Sequence, residues 1–136
     1  WYRERTGPKY YWRSNWKVAG TKGDNVMSLN IKDIGGEVAK EDDRYVVKDN
    51  TTLKNLVVSS TELQPMKSTS GHKHKGQEEV YYFVRGSGRL ELNDKVIKFR
   101  EGDIALIEDG VFHRVHAGPL GVYFVCVFDG KRKHWK

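Results

Sequence analysis

The chain is poor in the residues that would make it a disulfide scaffold, a membrane span or a helical bundle. It has a single cysteine, Cys126, in the run VYFVCVF, so no intrachain disulfide can form. That thiol reads as a buried structural group rather than a nucleophile. No apolar run approaches the roughly eighteen residues needed to cross a bilayer. No signal-peptide pattern is present either. The chain opens on Trp1 without an initial Met, as a fragment or processed product would, and cytoplasm is the default location. No long segment of 3.6-residue periodicity with helix caps occurs, so helix content should be low. There is no internal repeat and no second domain. At 136 residues the chain is long enough for one domain with a substantial core.

Short β-rich runs fill the chain instead. They are NVMSLNI, RYVVKD, LVVSSTELQ, EEVYYFV, RLELN, KVIKF, DIALIE, FHRVHA and GVYFVCVFD. Turn signals separate them, among them Gly86-Ser87-Gly88, Asn93-Asp94, Asp109-Gly110 and Gly118-Pro119. Frequent turns between short strands predict an all-β barrel or sandwich. Asn93-Asp94 suits a two-residue hairpin turn.

The charge is unevenly placed. Residues 1–22 carry six Lys/Arg and one Glu, and residues 131–136 carry four Lys/Arg. The whole net charge of +6 therefore sits at the two ends, and the middle of the chain is mildly acidic. The expected organisation is an N-terminal arm over 1–24, a barrel over 25–130 and a basic tail over 131–136. The arm interleaves cations with aromatics, a composition able to neutralise phosphates and stack on bases. We read it instead as aromatics packed on the barrel with the cations in water. Nucleic acid is therefore not the expected partner.

The most informative spacing is H-x-H-x4-E-x6-G, formed by His72, His74, Glu79 and Gly86, with His113 following in a later run. Two His one residue apart face the same way on a strand, because side chains alternate with period two. Three imidazole nitrogens and a carboxylate oxygen converging in a barrel make a divalent-metal site with room for water or substrate. Alternation places Glu79, Tyr81, Phe83 and Arg85 on one face of their strand. Val80, Tyr82 and Val84 share the other. That second face is also apolar and needs a cover, from the arm or from a second subunit. His116 lies three residues after His113, points the opposite way and stays outside the ligand set.

These residues resemble the cupin superfamily. SGHKHKGQEEVYYFVRG carries its first motif from Gly71 to Gly86, and Gly102, Gly110 and His113 carry the second. Glu108 stands where that motif usually has Pro. The likeness spans residues 55–128 and implies a double-stranded β-helix, the jelly-roll barrel. It also implies one metal ion held by His72, His74, Glu79 and His113. Glu79 fits the Gly86 spacing and its neighbour Glu78 does not. The donor set suits Fe, Mn, Ni, Co or Zn, since no soft thiolate is offered.

The resemblance fixes no single reaction. The metal-site segments are similar to those of the archaeal cupin-type phosphoglucose isomerases. A sugar or sugar-phosphate isomerase using Lewis-acid catalysis is accordingly the leading expectation. A cupin dioxygenase or lyase and a non-enzymatic binder of a sugar or small acid are the alternatives. Tyr81 is the expected catalytic group, and Phe83 and Arg85 the expected substrate contacts. Lys73, Lys75 and Arg114 add cations at the mouth, although Lys73 points away by alternation. The expected partners are a small-molecule substrate and a second copy of the chain.

Overall fold

The computed structural model describes residues 29–130. Of the predicted segments, the arm over 1–24 and the tail over 131–136 lie outside the described residues. Seven strands and no helix make up the described chain. They are β1 (Glu37–Glu41), β2 (Tyr45–Asn50), β3 (Leu56–Leu63), β4 (Glu79–Leu92), β5 (Lys95–Phe99), β6 (Ile104–Ile107) and β7 (His113–Asp129). Every pairing is antiparallel, in the order β1-β2-β3-β7-β4-β5. The short β6 pairs with the first half of β4. The expected all-β jelly roll is the observed fold, and no helix is long and apolar enough to cross a membrane among the described residues.

Two long strands form its spine. Gly86-Ser87-Gly88 and Gly118-Pro119, both expected as turns, instead lie inside β4 and β7. The two strands stay paired through these segments by shifting register, between Phe83 and Arg85 and again between Gly86 and Gly88. Such bulges bend the ladder and raise its twist, which is how an open sheet curls toward closure. Gly86 is required there. Its φ is +90°, and a Cβ would collide with the carbonyl oxygen of Gly121 on the facing strand.

The strand EVAKE (β1) has no apolar alternation and was not expected. Its ladder to β2 holds it at the sheet edge. Residues 29–31 of the predicted run NVMSLNI form no strand beyond an isolated bridge at Asn30, and the rest of that run lies outside the described residues.

The core sits between the inner faces. Tyr81, Phe83 and Leu90 from β4 meet Phe124, Cys126 and Phe128 from β7, with Phe99 and Leu63 from their neighbours. Phe83 is fully buried and stacks on Phe99, ring centroids 3.7 Å apart. On the outer face a smaller cluster of Ile34, Tyr123 and Val125 covers Val84. Val80, Ile104 and Leu106 stay exposed there.

Candidate metal centre

His72 and His113 are brought together by the backbone. Each donates its N–H to the other's carbonyl, at 3.1 and 3.0 Å, in an isolated antiparallel bridge. His74 follows in an extended loop, and its own carbonyl accepts from the N–H of Gly110 at 2.8 Å. The alternation expected of a strand is kept without a strand: Lys73 and Lys75 are exposed and His74 is buried. Glu79 opens β4 and is buried, while Glu78 is exposed.

One ligand nitrogen from each of His72, His74 and His113 lies within 4.8 Å of the others. Oε2 of Glu79 lies 2.9 Å from Nε2 of His74 and 3.3 Å from Nε2 of His113. Ligand atoms each about 2.1 Å from one ion lie roughly 3–4 Å apart, so small ring rotations bring this set onto a shared ion. Oε2 of Glu79 and Nε2 of His113 are both buried and carry no aligned hydrogen bond. Buried polar atoms that converge without satisfying one another are what a metal would complete. The residues present therefore fit a divalent ion.

The electrostatics agree with that fit. Burial, then the neighbouring imidazoles of His113 and His74, push His72 down to about 4. It is thus neutral near pH 7 and keeps a lone pair for coordination. Burial alone would raise the Glu79 pKa. Contact with His113 and His74, and with the Cys126 thiol, overcomes this and holds the carboxyl well below the usual carboxylate range. Nδ1 of His113 is 3.0 Å from the carbonyl oxygen of Val111. A carbonyl only accepts, so Nδ1 carries a proton there and Nε2 is the nitrogen turned to the centre. His116 belongs to a separate network. Its Nδ1 contacts Ser68 Oγ at 2.6 Å and its Nε2 contacts Glu91 at 3.0 Å.

A small cavity of about 30 Å³ opens beside His72 and Glu79. Its lining includes the hydroxyl-bearing residues Tyr45, Ser59, Thr61, Thr69, Ser70 and Tyr81, together with Cys126. No Lys or Arg lines it among the described residues.

Two expected substrate contacts lie elsewhere. Phe83 points inward but is sealed in the core. Arg85 faces outward, bonded to both carboxylate oxygens of Glu62 at 2.8 and 2.7 Å and lying over the Tyr123 ring. The bulge after Phe83 adds one residue to β4, which flips the parity of everything that follows. Arg114 is occupied at the Ser70 carbonyl. Sequence reasoning missed Tyr45, Ser59 and Thr61. Their strand alternation, at i and i+2 for the last two, shows a shared face but not that it borders the metal ligands.

Comparison with known proteins settles the family. A family model described as a cupin domain matches residues 59–128. This chain is a cupin. It is 28% identical over 94 residues to an oxalate-binding protein of Thermotoga maritima, covering 68% of this chain and 78% of that protein. Its structure is similar to that of KdgF from Halomonas sp., with TM-score 0.65 and 15% identity, covering 79% of this chain and 96% of that one. It is also similar to the polyketide cyclase RemF from Streptomyces resistomycificus, with TM-score 0.65 and 23% identity, covering 79% and 82%. At these identities the two structures share this cupin's fold.

Proposed function

We propose that this cupin holds one divalent ion through His72, His74, His113 and Glu79 and binds a small unphosphorylated ligand at it through two adjacent oxygens. A dicarboxylate or a hydroxy-carbonyl compound offers such a pair. The observation that carries this is the cavity beside the histidines, small, lined by hydroxyl-bearing residues and with no Lys or Arg among its described lining residues. The likeness to a protein named for binding oxalate supports the same ligand class. When bound, the ion supplies Lewis-acid polarisation of a ligand oxygen. Fe, Mn, Ni, Co and Zn all suit the donor set. The chain's own part is to orient the ligand through its hydroxyls and to limit water at the site.

Calorimetric titration of the metal-loaded protein tests this. Oxalate and small hydroxy acids should bind only when metal is present, and phosphate esters should gain nothing over their parent compounds. Preference for a sugar phosphate, or equal oxalate binding by metal-free protein, would reject it.

Tyr81 favours a second reading, isomerisation of an unphosphorylated sugar. Its side chain lines the cavity, and its ring centroid lies 5.8 Å from that of His113. A phenol there can hydrogen-bond developing charge or pass a proton. Tyr81→Phe keeps the ring, so stability and metal content should hold. Aldose–ketose exchange in deuterated water should slow by roughly 10²–10⁴-fold. Oxygen uptake matched to substrate loss would instead make this a dioxygenase. Saturable binding without turnover would leave a binding protein.

A homodimer is part of the same proposal. Val80, Ile104 and Leu106 are 42%, 63% and 73% exposed on adjacent strands of one face. A contiguous apolar patch of this kind favours a protein partner. Sedimentation at micromolar concentration should give twice the chain mass of 15.7 kDa. Leu106→Glu, at the most exposed of the three, should return the protein to monomer. A wild-type monomer would show that the patch has no second copy on it.

A further inference from the structure

We propose that Cys126 is a positioning residue for the metal centre: its thiol holds one oxygen of Glu79 and leaves the other to meet the ion. The inference rests on the metal-binding reading above. Cys126 Sγ donates to Oε1 of Glu79 at 3.0 Å, and both side chains are buried. The backbone fixes this contact. Tyr81 of β4 pairs with Cys126 of β7 and Glu79 pairs with Phe128, so the two side chains leave neighbouring strands on the same inner face. A thiol is a weak donor, but a carboxylate acceptor strengthens the bond.

The consequence is geometric. A carboxylate can bind an ion through one oxygen or through both. Here Oε1 is engaged by sulfur, while Oε2 faces Nε2 of His74 and His113. The thiol thus selects coordination through Oε2 alone and frees a coordination position for a ligand on the cavity side, which Cys126 also lines. Outer partners of this kind typically govern metal affinity by 10–100-fold.

The test compares wild type with Cys126→Ala, Cys126→Val and Cys126→Ser, using Co(II) as the probe ion. Affinity is read by competition with a chromophoric chelator and ligand geometry by the visible Co(II) spectrum. Ala and Val remove the donor and should weaken Co(II) by about 10–100-fold, with a changed spectrum. Val keeps more of the core filled and carries the test if Ala does not fold. Ser retains a donor and should recover most of the wild-type affinity and spectrum. Unchanged affinity and spectrum in Ala or Val would overturn the role of Cys126 while leaving the centre intact. A sulfur-to-cobalt charge-transfer band in wild type would overturn it too, by making the sulfur a ligand. Wild-type protein that takes up no Co(II) would overturn the centre itself, and this inference with it.

Discussion

His74→Ala and His113→Ala should each bring bound metal to background while leaving the barrel folded. Each variant removes one of three imidazoles whose ligand nitrogens lie within 4.8 Å of one another and leaves the backbone bridge between residues 72 and 113 in place. The loss of affinity should exceed the roughly 10–100-fold that follows from removing an outer partner of a ligand. Folding should survive, because most of the core's apolar packing is supplied by other residues, among them the rings of Phe83, Phe99, Phe124 and Tyr81. Metal content per chain and far-UV circular dichroism check the two halves separately. A linked effect is expected in melting. An ion present at 100 times its Kd adds about 2.7 kcal/mol of stability to a protein that binds it only when folded. Wild type should therefore melt higher with added metal, and the variants should not. Full metal retention by both variants would mean that these residues do not hold the ion.

The second large effect separates two residues that are two apart on one strand. Phe83→Ala should cost about 3–5 kcal/mol, since it empties the centre of a closed aromatic stack. Arg85→Ala should cost no more than about 1 kcal/mol, because its pair with Glu62 is solvated. Urea unfolding of both variants gives the comparison, with oxalate titration of metal-loaded Arg85→Ala beside it. Unaltered stability in Phe83→Ala would place that ring outside the core. Loss of ligand binding in Arg85→Ala would place the guanidinium at the site, against its outward position.

Much of the centre is legible without coordinates because its logic is local. His72 and His74 share a direction by backbone alternation, and that holds in an extended loop as well as in a strand. Glu79 is distinguished from Glu78 by its spacing to Gly86, and the two face opposite ways: one is buried, the other exposed. Parity also carried correctly from Glu79 through Tyr81 to Phe83. It failed at Arg85, where a bulge intervenes. The bulge has no signature in β4 alone, since it is fixed by how β4 pairs with β7. The glycines at 86 and 88 looked like a turn for the same reason. Glycine permits a turn, a bulge or a close approach equally well, and the facing strand selects among them.

Residue order alone is enough to read an all-β chain with three histidines and one acid in metal-ligand spacing, and one thiol set among core residues. Those properties follow from residue type and a two-residue period. Which neighbours these groups meet follows from the folded chain. It joined two pairs of expected strands into the long β4 and β7, and it held EVAKE at an edge through hydrogen bonds to β2 rather than through any burial of its own. It set Tyr45, Ser59 and Thr61 around the cavity and the Cys126 thiol against Glu79, 47 residues away in the chain. Contacts of that range depend on register between strands, which depends on bulges and packing across the whole sheet.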